Sequence, residues 1–155
     1  MRRKDREIND IIAILDNCDI CRLAMTDNGM PYIVPMNFGY SVDNNEITLY
    51  FHSAGEGRKI NILRTNPEVC IEMDCGHDLI TRDKACEYTM DFESLIGNGT
   101  VEFLENRDEK IFALTQIMKK YSNESEFEFD EKLLTRTKIF KAVVSDFTGK
   151  RHVTK

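Results

Sequence analysis

A chain of 155 residues with 41% apolar and 31% charged residues, 8 Gly and only 3 Pro has the composition of one ordinary globular domain, residues 1–155, and not of a disordered or collagen-like polymer. Lys and Arg number 21 against 27 Asp and Glu, and the resulting formal charge of −6 argues against a nucleic-acid partner, because neutralising a phosphate backbone takes an excess of cations. A local pair of cations still suffices for a single phosphate group.

The start, Arg2-Arg3-Lys4, is basic, but the apolar patches that follow are broken by Asp10 and Asp16, so no secretion signal is expected. No stretch approaches the roughly 18 consecutive apolar residues of a membrane span. Five cysteines, an odd number, cannot all pair within one chain and fit the reducing cytoplasm.

Residues 5–16 predict a helix, with Ile8, Ile11, Ile12 and Leu15 forming one apolar stripe. Residues 21–26 read as a strand, Asp27-Asn28-Gly29 as a turn that tolerates positive φ, and residues 31–40 as a second strand. After the turn Asp43-Asn44-Asn45, residues 46–52 alternate through Ile47, Leu49 and Phe51 as a half-buried strand does. The small residues Ser53-Ala54-Gly55-Glu56-Gly57 make a loop, residues 58–64 a two-turn helix, and Asn66-Pro67 its stop. Residues 69–73 return to strand, and residues 75–88 read as a loop with helical pieces. Residues 92–104 are a strand interrupted at Gly97 and Gly99. Asn106-Arg107-Asp108-Glu109 has capping-box spacing and opens a helix with the stripe Ile111, Leu114, Met118 and Tyr121. Residues 122–132 are acidic and expected to be exposed, and residues 138–147 form the last strand. The sum is a mainly β fold: six antiparallel strands closed into a small barrel, with helices at its periphery.

Chemistry concentrates in His52-Ser53-Ala54-Gly55-Glu56-Gly57-Arg58-Lys59. Two glycines let the backbone turn its N–H groups inward, a helix begins there with its partial positive end, and Arg58 and Lys59 add two formal charges. That set suits a terminal phosphate, with the Ser53 hydroxyl as a further donor; the competing reading is a solvated loop with surface cations. In Met36-Asn37-Phe38, Asn37 suits the edge of a planar heterocycle and Phe38 could stack on it or simply pack in a core. Cys18-x-x-Cys21 and Cys70-x4-Cys75, with His77 and Cys86, could be drawn as a zinc or iron–sulfur site, but the spacings fit buried apolar cysteines better and no metal is expected. His52 is the catalytic candidate by position, beside the proposed phosphate loop. Asp74, Asp78 and the acidic residues 124–131 read as surface carboxylates.

The run Leu49-Tyr50-Phe51-His52-Ser53-Ala54-Gly55-Glu56-Gly57-Arg58-Lys59, followed by Leu63-Arg64-Thr65-Asn66-Pro67, resembles the flavin phosphate loop of the pyridoxamine-5′-phosphate-oxidase-like split-barrel flavoproteins, and its His resembles the nitroimidazole-resistance branch. Arg22-Leu23-Ala24-Met25, the stretch from Asp27 to Met36, and the stretch from Phe92 to Gly99 support the resemblance in the same order, over residues 10–148. The resemblance implies an FMN-binding split barrel. Met36, Asn37 and Phe38 would lie along the flavin ring, and His52 and Ser53 near the flavin and its ribityl chain. Arg58 and Lys59 would hold the phosphate, with Ser94 at the ribityl or phosphate end. It further implies a homodimer with the flavin at the subunit interface and an oxidoreductase or nitroreductase-like activity on a small molecule. Phe92 stands where that branch often has Tyr, and Leu95 where it often has Val. The absence of Trp sets the chain apart from the true oxidase, whose C-terminal element carries Trp and Arg. The alternatives are a flavin- or haem-binding module without turnover, the haem held through His52, and a metal or redox sensor built on the cysteines.

Overall fold

Alternating apolar side chains build seven strands into one antiparallel sheet in the computed structural model, which describes residues 8–154. The elements run α1 (Ile8–Asn17), β1 (Cys21–Asp27), β2 (Met30–Met36), β3 (Gly39–Asp43), β4 (Glu46–Ser53), α2 (Arg58–Thr65), β5 (Glu68–Ile80), a 3₁₀ turn (Ala85–Glu87), β6 (Thr89–Phe103), α3 (Arg107–Tyr121), α4 (Glu131–Arg136) and β7 (Lys138–His152). Residues 5–7 of the expected first helix lie outside the described residues.

The strand order is β2-β1-β5-β6-β7-β4-β3, so β2 and β3 stand at opposite edges although only Asn37 and Phe38 separate them in the chain. The three steps from Met36 to Gly39 reach about 11 Å at most. The sheet therefore rolls until its two edges nearly meet. No ladder joins β2 to β3 among the described residues, and the barrel stays open along that line.

This corrects the six strands expected: residues 31–40 are two strands and not one. The break has a steric cause. Gly39 lies so close under α3 that an added Cβ would stand 2.3 Å from the Ile117 backbone nitrogen, and Phe38 beside it is fully buried. The chain dives beneath α3 between the two edges. The same contact sets which face α3 buries. Ala113 and Ile117 point inward and Leu114 of the expected stripe packs against their cluster, while Ile111, Met118 and Tyr121 are not among its buried residues.

Both tight turns sit where the sequence puts them, with Asn28 (φ 50°) and Gly29 (φ 84°) in one and Asn44 (φ 47°) and Asn45 (φ 63°) in the other. Asn106 caps α3 by accepting from the N–H groups of Asp108 and Glu109. Of the segment expected to be a loop with helical pieces, residues 75–88, the second half is one, with its 3₁₀ turn at Ala85–Glu87, while the first half carries β5 on to Ile80 past a bulge between Cys75 and Asp78, and β6 pairs along it. The acidic stretch ends in α4, capped by Asp130 and anchored by the buried Leu134. The barrel interior is filled from all sides by Leu23, Met25, Leu49, Phe51, Ile71 and Phe140, and α1 closes onto it with Ile11, Ile14 and Leu15.

Candidate functional site

The site grows from the end of β4. Ile47, Leu49 and Phe51 face the core, so alternation turns His52 outward, paired with Ile139 of β7. Ser53 ends the strand opposite Lys138. The loop then reaches Gly57, whose φ of 141° suits glycine and starts α2 with no side-chain cap. The first amides of α2 thus have no side-chain acceptor from the helix's own N-cap.

Arg58 and Lys59 open that helix about 100° apart around its axis, so they leave it in different directions. Lys59 turns inward and is half-buried. Its Nζ donates to the Met36 Sδ at 3.2 Å, a weak acceptor, and no carboxylate among the described residues pairs with it. Burial pulls its pKa below the usual lysine value. His52 lies near enough to feel that charge. Partial desolvation first, and the Lys59 ammonium second, hold its imidazole below the usual histidine value, which leaves it neutral at pH 7. Arg58 turns outward. Its Nε and Nη2 donate to Asp27 Oδ2 at 3.2 and 3.1 Å, and its guanidinium carbon lies 4.2 Å from the centre of the Tyr32 ring. Between α2 and the β1–β2 turn opens a cleft of about 830 Å³ lined by Thr26, Asn28, Arg58, Asn61 and Thr65 among others.

The structure brings Met36, His52 and Lys59 together at one corner, with Ser53 and Arg58 on its rim. Asn37 is exposed beside it, at the crossover from β2 to β3. Phe38 is placed otherwise: its ring is fully buried with the Lys120 ammonium 4.5 Å from its centre, and its N–H donates to the Tyr121 hydroxyl at 3.2 Å. Ser94 does not join the corner. It lies on β6 opposite Asp74 and Lys150, twelve positions along β7 from the Lys138 that pairs with Ser53, or about 40 Å of strand.

Three residues of this site were not singled out in the sequence. Asp27 reads there only as a turn residue, and Tyr32 and Tyr121 only as apolar positions of their elements. Their partners are distant in the chain, and spacing carries no signal for such contacts. Of the cysteines, Cys86 is exposed, Cys18 and Cys21 are buried, and Cys18 has Cys75 as a hydrogen-bond neighbour; burial first of all raises the thiol pKa values of Cys18 and Cys21, that of Cys21 to about 12. Among the described residues no three His, Cys, Asp or Glu side chains are grouped to hold a metal. No helix among them is long and apolar enough to cross a membrane.

The corner fits the phosphate end of a flavin nucleotide in its donor set: an ammonium without a carboxylate, a guanidinium, a hydroxyl and uncapped helix amides. Comparison with known proteins bears on the same point. The sequence profile of the family described as pyridoxamine 5′-phosphate oxidase matches residues 7–151. A candidate 5-nitroimidazole antibiotic resistance protein from Bacteroides thetaiotaomicron is 39% identical, with a TM-score of 0.82 over 93% of this chain and 83% of that one. An FAD- and haem-binding protein from Mycobacterium smegmatis is 16% identical, with a TM-score of 0.81 over 98% and 73% of the two chains. An FAD-binding protein from Mesorhizobium loti is 21% identical, with a TM-score of 0.67 over 97% and 98%. These last two share the fold. Comparison with curated proteins gave no match.

Proposed function

The chain belongs to the pyridoxamine 5′-phosphate oxidase family, on its nitroimidazole-resistance side, and from that premise we propose that it is an FMN-dependent oxidoreductase, a homodimer that binds FMN between its subunits and reduces a small molecule in the cytoplasm. One observation carries the reading: a half-buried ammonium, Lys59, with a thioether as its acceptor and no carboxylate beside it. Holding a desolvated cation unpaired costs stability, and an anionic ligand repays that cost.

Lys59, Arg58 and Ser53 hold the phosphate in this reading. The backbone at Met36 and Asn37 and the Asn37 amide lie along the ring, Phe38 supports them from within the core, and His52 stands beside the ribityl chain as a neutral imidazole. FMN, when bound, supplies the electron transfer, and the protein supplies orientation and electrostatics. Ser94 enters from the second copy. It shares the outer face of the sheet with Ile96, which is 52% exposed, and Ile33 on β2 of the same face is 58% exposed. Two such faces packed together cover these side chains and place Ser94 at an interface.

The absorption spectrum of the purified protein, before and after addition of FMN and desalting, tests the reading. Two visible flavin bands that survive desalting are expected. A colourless protein that retains no FMN overturns the reading. An intense Soret band with no flavin reassigns the pocket to haem, with the neutral His52 as the ligand.

A further inference from the structure

Arg58 and Lys59 are neighbours in sequence, yet only Lys59 is without an anionic partner. The two donors on one edge of the Arg58 guanidinium, Nε and Nη2, both end on a single oxygen of Asp27. That edge is one of the two from which arginine makes paired bonds to an oxyanion. Resting on the proposed FMN site, we infer that Asp27 is the built-in competitor of the phosphate for Arg58, so that the β1–β2 turn sets how tightly the phosphate end is held.

Three observations carry this. The Arg58 and Asp27 side chains are 57% and 32% exposed, so their ion pair is solvated and cheap to break. Asp27 cannot follow the guanidinium, because it is the last residue of β1 and is fixed by the tight turn at Asn28 and Gly29. Tyr32 covers the guanidinium face and not its edge, and holds the arginine in place while the edge changes partner. The charge balance points the same way. With Asp27 present, the three side chains Arg58, Lys59 and Asp27 sum to one positive charge, and a dianionic phosphate overcompensates it. With Asn at 27 they sum to two, and the phosphate is neutralised.

The test compares FMN with riboflavin, which lacks the phosphate, by flavin-fluorescence titration of the full chain. The variants are Asp27→Asn, Arg58→Ala and the two combined, each checked for its thermal midpoint. Asp27→Asn is expected to tighten FMN about two- to fivefold and to leave riboflavin unchanged. In the Arg58→Ala background the same substitution is expected to gain nothing. FMN affinity that stays level or falls in Asp27→Asn, or a gain that persists without Arg58, overturns the inference while leaving the FMN site standing. A wild-type protein that binds neither flavin overturns both.

Discussion

At the scale of single residues, the corner is a place where the fold accepts an electrostatic cost. His52 and Lys59 both have pKa values below their usual ones, because desolvation penalises the charged forms, and the Lys59 ammonium lowers His52 further. Between each lowered value and its ordinary one, the unfolded chain binds more protons than the folded protein. Stability therefore rises with pH across those windows. For His52 the window lies just below pH 6.5: its contribution is complete above that and is lost as the pH falls. Substitution of His52 by Gln is expected to flatten the acid-side slope of the thermal midpoint between pH 6.5 and 5 in the flavin-free protein. An unchanged slope would show that His52 titrates alike in both states. For Lys59 the penalty persists at neutral pH, so Lys59→Met is expected to raise the flavin-free midpoint while it weakens FMN binding. A lower midpoint in that variant would mean that the ammonium is not stored at a cost.

At the scale of elements, α3 governs the crossover on which the proposed flavin ring site rests. The Tyr121 hydroxyl accepts the Phe38 N–H and donates to the Asp19 carbonyl at 2.6 Å, and Lys120 donates to the Leu15 carbonyl at 2.6 Å. Two neighbouring residues thus pin the β2–β3 crossover and the α1–β1 junction to one helix. Tyr121→Phe leaves a part-buried N–H and a carbonyl without their partner, a cost of about 1 kcal/mol, or a drop of roughly 2–4 °C in the midpoint. FMN affinity is expected to fall with it, because the exposed Asn37 beside Phe38 loses its anchor. A variant with a lower midpoint and unchanged FMN affinity would detach the crossover from the site.

The same elements show what a reader of the sequence could and could not see. Asn28-Gly29 and the Asn106 cap were legible because their physics is local: a positive φ and a side chain bonding amides two and three residues on. The strand end, glycine-bracketed loop and helix start of residues 52–59, on which the proposed phosphate site rests, were legible for the same reason, since they lie within eight consecutive residues. The β2–β3 break was not, because apolar alternation continues through it and its cause is the backbone of α3, nearly eighty residues away. The extension of β5 to Ile80 was hidden because its outer half is exposed on both sides and has no alternation to read. Helix α4 was hidden in charge, although Asp130 caps it and the Arg107 guanidinium grips its Glu131. The Asp27–Arg58 pair spans 31 positions and left no periodic trace.

At the scale of the whole molecule, a chain with a charge of −6 keeps a local excess of cations at one corner, which is what a soluble anionic cofactor requires of an otherwise acidic protein. The rolled sheet presents Ile33, Ala24, Cys70 and Ile96 on its outer face in neighbouring strands. In the proposed homodimer, packing on that face would bring Ser94 of one copy toward the corner of the other. Ile96→Glu is expected to convert the dimer to a monomer in sedimentation velocity and to weaken FMN binding by tenfold or more, about 1.4 kcal/mol. A wild-type monomer that binds FMN fully would place the whole site in one chain and contradict the shared arrangement.

The central claim, that the corner at Lys59 receives the phosphate of FMN, is tested most directly by the ratio of riboflavin to FMN dissociation constants in the wild type and in Lys59→Met. A charge-assisted contact is worth about 1.5–3 kcal/mol, so the wild type is predicted to prefer FMN by one to two orders of magnitude and the variant to lose most of that preference. Equal affinity for the two flavins in the wild type, or a preference that survives removal of the ammonium, would contradict it.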